Sequence, residues 1–299
     1  MILCRREGRR AGLPPTKRKS SVGDMKLCFS TLVCPNWSFP EMVGAAAAYG
    51  LQGIDLRGIG PEIDVTKLHS FEAELTDMLD LLRRHGLEMP CMNTSIVLVT
   101  PASERWEMML DECQRYAKLA ARTGTRFLRI FGGVVPKGMT HAQAITLARR
   151  HLRQLEKACA RHSCQALLET HDTWATSELI LELLEGFSST QVGVLWDIEH
   201  PCRRGEDPSK TAGALREYIL HVHLKDCLRE GDKSFPRLLG QGDLPLPRII
   251  QAMRAIAYDR WICLETEKRW HPQVAPEPEQ SLPQFVQYMK EHWQVGTGN

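Results

Sequence analysis

Residues 219–226 have the sequence ILHVHLKD, a short apolar run in which His221 and His223 stand one residue apart. Alternation of this kind is typical of a β-strand, in which residues i and i+2 point to the same side. Both imidazoles should therefore project from one face of an otherwise apolar strand. Because Lys225 and Asp226 follow directly, we expect the strand to end here.

Seven further runs of this kind occur along the chain. They are KLCFST (26–31), GIDLR (53–57), LEMPCMN (87–93), TRFLRIF (125–131), CQALLE (164–169), VGVLWD (192–197) and WICLE (261–265). Amphipathic stretches of helical period lie between them, for example at residues 71–85, 104–123 and 141–162. Strands that are apolar almost throughout are typical of a parallel sheet covered by helices.

Eight strands that alternate with helices predict an α/β protein with a single-domain (β/α)₈ barrel. The competing fold is an open, doubly wound sheet. That fold would be expected to carry a glycine-rich phosphate turn after its first strand. The segment in that place, STLVCPNWSFPEM (30–42), contains no GxGxxG motif. The pattern therefore favours the barrel.

The first 24 residues differ from the rest, because they are basic, rich in Pro, Gly and Ser, and without periodicity. They lack the apolar core of a secretory signal. They form either a disordered basic arm or an extension upstream of a start at Met25. We expect residues 1–24 to be a disordered extension and residues 25–299 to form the barrel.

The composition sets limits on the partners of the protein. Its 299 residues are 43% hydrophobic and 25% charged, as in soluble globular proteins, and the net charge of +2 indicates no polyanionic partner. No run of about 18 apolar residues predicts a membrane span. The ten cysteines form no CxxC pair, which favours reduced, buried thiols in a cytoplasmic protein.

Acidic and imidazole side chains end four consecutive predicted strands. They are Glu169, Asp197, His223 and Glu265. Each alone could be a helix cap or a solvated loop residue. Together they should meet at one rim, because the carboxyl ends of barrel strands lie side by side. Three carboxylates and an imidazole predict one divalent metal ion, with Mn²⁺ or Mg²⁺ favoured and Zn²⁺ or Co²⁺ as alternatives.

The segments ALLETH, WDIEH, HVHLKD, GQGD and CLE resemble the xylose isomerase-like TIM-barrel superfamily, the sugar phosphate isomerase and epimerase group, over residues 26–290. The group includes ketose 3-epimerases, hydroxypyruvate isomerase, inosose dehydratase, 3-dehydroshikimate dehydratase and endonuclease IV. The resemblance implies the same four metal ligands. It assigns the metal to the second histidine of the HxH pair, so His221 should pack inside the barrel or orient a ligand.

The resemblance also implies substrate-binding residues. His200 is the histidine of the DxxH motif, and Arg229 follows the metal histidine by six residues, as a substrate-binding arginine does in the ketose epimerases. The ETH sequence resembles the dehydratases, in which the equivalent of His171 lies in the site. A glutamate that the epimerases carry is replaced by Ala175, which weakens a simple ketose-epimerase assignment.

The expected chemistry is proton abstraction beside a metal-bound carbonyl, through an enediolate. Glu169 and Glu265 are candidate bases on two sides of the substrate, which would give a sugar isomerase or epimerase. If a β-hydroxyl leaves instead, with His171 or Lys225 as acid, the same intermediate gives dehydration. Lys225 could also contact the substrate directly, or be a solvated rim residue.

The partner should be a small polyhydroxylated molecule, without membrane or nucleic acid. The basic first segment and Arg129 could be cited for an endonuclease, but the barrel is near neutral and has no basic stripe. Strands 2 and 3 also offer no histidine for a three-metal site. A non-catalytic sugar-binding barrel is a further alternative. The loop at Trp270 and His271 could support a homo-oligomer.

Overall fold

Eight parallel strands line the interior of the protein, as predicted. The computed structural model describes residues 26–231 and 233–293, so the predicted extension at residues 1–24 lies outside the described residues. The barrel strands are β1 (Lys26–Ser30), β2 (Gly53–Asp55), β3 (Cys91–Val97), β4 (Phe127–Phe131), β5 (Gln165–Glu169), β6 (Val192–Asp197), β7 (Ile219–Leu224) and β10 (Trp261–Leu264). A separate antiparallel pair consists of β8 (Asp226–Glu230) and β9 (Lys233–Arg237).

The sheet has the order β2-β1-β10-β7-β6-β5-β4-β3, and its two edges meet at Leu56. The amide of Leu56 donates to the carbonyl of Cys91 at 3.0 Å, and its own carbonyl accepts from the amide of Asn93 at 2.7 Å. These bonds join the end of β2 to β3. The eight strands therefore form a closed TIM barrel in one domain.

Helices cover the outside of the barrel. They are α1 (Phe39–Tyr49), α2 (Ser70–Ala73), α3 (Leu75–His85), α4 (Ser103–Thr123), α5 (His141–Ala160), α6 (Ser177–Leu184), α7 (Glu199–Arg203), α8 (Pro208–Leu215), α9 (Leu246–Ala255) and α10 (Pro278–Trp293). Apolar side chains of the longer helices pack against the strands in one main core. None of these described helices is both long and apolar enough to cross a bilayer.

The third strand begins later than the sequence pattern predicts. It was expected at residues 87–93, but β3 runs from Cys91 to Val97. Pro90 precedes its first residue, and proline has no amide proton to donate to a sheet. The regular ladder with β4 therefore starts only after this proline.

The long segment after β7 begins with the β8–β9 hairpin. Asp226 then organises the following loop. Its Oδ2 accepts from the amides of Gly240 at 2.8 Å and Gly242 at 2.9 Å, and its Oδ1 accepts from that of Cys227 at 2.9 Å. A Cβ atom at Gly242 would lie 2.1 Å from Asp226 Oδ1, so only glycine fits this close approach.

Replacing Asp226 by Ala should destabilise the protein by about 2–4 kcal/mol, because several amides would lose a charged acceptor in a buried place. Urea unfolding followed by circular dichroism measures the change. Asp243→Ala is the control, since this aspartate is exposed in the same loop and accepts from the amide of Arg229, and should destabilise the protein by about 1 kcal/mol or less. Equal effects of the two variants would contradict the role given to Asp226.

Candidate metal centre and active site

The structure brings the four predicted ligands together. Glu169 ends β5, Asp197 ends β6, His223 lies near the end of β7 and Glu265 follows β10. One ligand atom from each lies within 4.8 Å of the others, and all four side chains are buried. Asp197 and His223 are paired residues in the β6–β7 register, so the barrel backbone itself sets their spacing.

The donor atoms fit a divalent cation. Glu169 Oε2, Asp197 Oδ2 and His223 Nδ1 are buried, and within the described chain they make ion pairs but no hydrogen bond of acceptable geometry. His223 Nδ1 lies 3.1 Å from a Glu265 oxygen and 3.5 Å from a Glu169 oxygen. Buried atoms of this kind are costly unless something binds them. Three carboxylates and one imidazole suit Mn²⁺, Mg²⁺, Zn²⁺ or Co²⁺.

The other ring nitrogen of His223, Nε2, contacts the buried carboxylate of Asp55. This nitrogen lies 3.4 Å from Asp55 Oδ2, and His221 Nε2 approaches the same oxygen at 2.7 Å. Histidines that bind metal commonly direct their second ring nitrogen to a carboxylate, which fixes the ring. His221 therefore contacts the carboxylate that orients His223. Although burial acts to lower it, the Asp55 charge raises the pKa of His221 to about 9.

Two of the candidate ligands are stabilised as carboxylates. Burial acts to raise the pKa of Glu169, but the Arg129 guanidinium, 3.4 Å away, brings it down to about 2. Burial likewise opposes ionisation of Glu265, and His223 with Lys225 holds its pKa well below the ordinary value. Both side chains are therefore charged at neutral pH, as a cation site requires.

Lys225 neutralises part of this charge. Its Nζ lies 2.9 Å from Asp197 Oδ2, 3.0 Å from Glu265 Oε2 and 3.1 Å from Glu267 Oε1. Despite burial, these carboxylates hold the pKa of Lys225 well above its ordinary value. The alternative of a solvated rim residue therefore does not hold for Lys225, since the residue is 5% exposed.

A cavity of about 110 Å³ opens directly over the candidate ligands. Its wall includes His171, Arg57, Arg129 and Trp270, together with Lys225. The Nη1 atom of Arg57 is buried and lacks a hydrogen-bond partner within the described chain, whereas Nη1 of Arg129 lies 3.4 Å from Glu169 Oε2. The cavity thus offers room for a small molecule beside two guanidinium groups.

His171 and His200 form a ring pair at one side of this cavity, with centroids 3.9 Å apart. His171 Nδ1 lies 3.0 Å from Asp172 Oδ1. Burial acts to lower the pKa of His171, but the contact with Asp172 outweighs burial, so this pKa is raised. His200 Nε2 lies 3.9 Å from Asp197 Oδ2. Burial lowers the pKa of His200.

Arg229 does not reach the metal cavity. It is exposed on β8, its Nε donates to the carbonyl of Gly231 at 2.8 Å, and it lines a separate cavity of about 300 Å³ with His200. Ala175 lines that second cavity too. The predicted substrate contacts are therefore divided, with His171 and Lys225 in the metal cavity and His200 and Arg229 in the neighbouring one.

Sequence reasoning gave no site role to Arg57, Arg129 or Asp55. One signal was present, because Arg129 interrupts the apolar run TRFLRIF, where a charged residue needs a partner. The structure supplies that partner in Glu169. For Asp55, no local pattern could indicate its contacts with His221 and His223, which are more than 160 residues away in the sequence.

Three comparisons place this architecture among known proteins. A 3-dehydroshikimate dehydratase from Bacillus anthracis is 28% identical over 192 residues, which are 63% of this chain and 66% of that relative. The crystal structure of the probable 3-DHS dehydratase AsbF of Bacillus anthracis is 24% identical with a TM-score of 0.74, covering 89% of this chain and 98% of that one. The IOLI protein with a bound zinc atom is 17% identical with a TM-score of 0.77, covering 91% and 100%.

The two solved structures, at these identities, show the fold alone. The family model described as xylose isomerase-like TIM barrel matches residues 43–292, which includes all four candidate metal ligands. The chain therefore belongs to the xylose isomerase-like TIM barrel family.

Proposed function

We propose that the protein is a divalent-metal-dependent dehydratase that acts on a small, acidic, polyhydroxylated carbonyl compound. The observation that carries this proposal is the place of His171 in the wall of the metal cavity, with its ring against Asp172 and His200. An imidazole in such a place can accept and return a proton.

The carboxylates are less suited to that task. Glu169 is paired with Arg129, and Glu265 is paired with His223 and Lys225. A carboxylate that is stabilised in its charged form is a weak base. His171 is therefore the better candidate for proton transfer, with Glu169 and Glu265 acting as ligands.

Glu169, Asp197, His223 and Glu265 would hold the metal ion. When bound, the ion would polarise the substrate carbonyl and stabilise the negative charge that develops as the neighbouring proton leaves. His171 would take that proton and return it to the departing β-hydroxyl, which leaves as water. Asp172 would hold the imidazole in place during both transfers.

The substrate should carry a negative group. Arg57 and Arg129 line the cavity, and the buried Nη1 atom of Arg57 has no hydrogen-bond partner within the described chain. Guanidinium groups are well matched to carboxylates. 3-Dehydroshikimate, the compound named for the curated relative, is a cyclic hydroxy ketone with a carboxylate. The carboxylate of such a substrate would match the positive charge of Arg57 and Arg129 in the cavity wall.

A sugar isomerase or epimerase is the second candidate. It is favoured by the fact that Glu169 and Glu265, from strands on different sides of His223, line the same cavity. Two bases on two faces of a substrate would exchange protons without loss of water. In that case His171 would bind the substrate.

Incubation in D₂O with Mn²⁺ separates the two reactions. The probes are 3-dehydroshikimate, inosose and simple ketoses. A dehydratase should give a new ultraviolet absorbance, from an unsaturated carbonyl with inosose or a ketose and from an aromatic ring with 3-dehydroshikimate, which is already an enone. An isomerase or epimerase should give deuterium at the α-carbon without that absorbance. Ultraviolet spectra and proton NMR measure the two outcomes. A chelator should abolish whichever reaction is observed. If no probe gives the absorbance or the deuterium exchange with Mn²⁺, both proposed functions are contradicted.

A further inference from the structure

A second group of potential metal ligands lies deep in the barrel. It consists of Cys28 on β1, Asp55 on β2, His221 on β7 and Cys263 on β10, with one ligand atom from each within 4.8 Å of the others. All four side chains are 0% exposed. Their strands are consecutive in the sheet order β2-β1-β10-β7, so one wall of the barrel supplies the whole group.

The Cys28–Asp55 spacing is close to one edge of a tetrahedral zinc site, since Cys28 Sγ lies 3.7 Å from Asp55 Oδ1. His221 Nε2 is hydrogen-bonded to Asp55 Oδ2 at 2.7 Å, a contact that would open to about 3.3 Å when both atoms bind zinc. With a Zn–S bond of about 2.3 Å and a Zn–O bond of about 2.0 Å, sulfur and oxygen on one tetrahedral edge are about 3.5 Å apart. Cys28 and Cys263 are direct neighbours in the β1–β10 register, which places both thiols at one level.

The group is unusual for a barrel interior, which branched apolar residues ordinarily fill. A buried carboxylate is costly even beside a histidine, and His221 Nδ1 has no hydrogen-bond partner within the described chain. Two thiols, an imidazole and a carboxylate together form a donor set that prefers thiophilic divalent ions. Mn²⁺ and Mg²⁺ prefer the oxygen-rich set at the rim.

We propose that Cys28, Asp55, His221 and Cys263 bind a second, structural metal ion of the Zn²⁺ type. The two thiol protons, and the imidazole proton that His221 shares with Asp55, leave to solvent as the four side chains coordinate. Asp55 Oδ1 faces Cys28, whereas Oδ2 lies 3.4 Å from His223 Nε2. One carboxylate therefore contacts both the deep ligand group and the histidine of the rim group. The deep ion would join four strands and fix the residue that orients His223.

Co²⁺ titration of the reduced full-length chain tests this site, because Co²⁺–thiolate bonds give a charge-transfer band in the near ultraviolet. The wild type should bind two Co²⁺ ions and develop this band. The Cys28→Ser/Cys263→Ser variant should lose the band and one ion. The Glu265→Gln variant should keep the band, so failure of the rim site and failure of the deep site give different results.

Cys91→Ser is the matched control, since Cys91 is also fully buried in the barrel but belongs to neither ligand group, and it should keep the band. Absence of the band in the reduced wild type would overturn the proposal, and this result does not depend on the folding of any variant. Persistence of the band in a folded double-serine variant would overturn it as well. In either case Asp55 and His221 would act only as an ion pair behind His223.

Discussion

A Glu265→Gln variant should bind Mn²⁺ at least about 100-fold more weakly than the wild type and should lose turnover accordingly. The glutamine removes one negative charge from a buried group of three carboxylates. It also presents an amide group to His223 and Lys225, which now approach the Glu265 carboxylate at 3.1 Å and 3.0 Å. Calorimetric Mn²⁺ titration measures the loss.

Glu267→Gln is the control for this experiment. Glu267 lies two residues further along the same rim and also contacts Lys225, but it is outside the ligand group. Its variant should keep Mn²⁺ affinity within a few fold. Unchanged Mn²⁺ binding by Glu265→Gln would exclude Glu265 as a ligand and, with it, the proposed metal centre.

A His171→Asn variant should bind metal normally but lose activity by about 10²–10⁴-fold, which is the range that a proton-transfer group contributes. Asparagine keeps a polar side chain against Asp172 but cannot accept and return a proton. Steady-state turnover of the substrate identified in D₂O, together with Mn²⁺ titration, measures both properties. Added imidazole should restore part of the lost rate.

His141→Asn is the matched control, because His141 is an exposed histidine that stacks on Trp174 and pairs with Glu182 outside the cavity. It should retain activity. If His171→Asn weakens substrate binding but leaves the maximal rate intact, His171 is a substrate contact and Glu169 or Glu265 is the base. The isomerase or epimerase function would then be preferred.

Much of the barrel could be predicted because its signals are local. A strand such as VGVLWD or ILHVHL is buried on both faces and therefore apolar throughout, and each helix shows its own 3.6-residue period. The sequence signals for the ends of helices are equally local. Gly50, Gly86 and Gly124 adopt the left-handed conformation expected after a helix, and Thr140 caps α5.

The rim group could be predicted for a related reason. Once parallel strands are assumed, their carboxyl ends must lie at one edge, so Glu169, Asp197, His223 and Glu265 were expected to be neighbours. The structure brings them together, and their role as ligands is the prediction that the Glu265 variant tests. The start of β3 was missed because the apolar run continues through Pro90 without a change in hydrophobicity.

The sequence by itself determined the eight strands, their order along the chain and the edge at which acidic side chains gather, because each depends on residues close in sequence. Only the tertiary structure decided which charges meet inside the barrel. Arg129 and Glu169 meet on the adjacent strands β4 and β5, and Asp55 and His221 meet inside the barrel on the curved wall β2-β1-β10-β7. Those contacts join residues 40 and 166 positions apart, and no periodic pattern specifies such pairs.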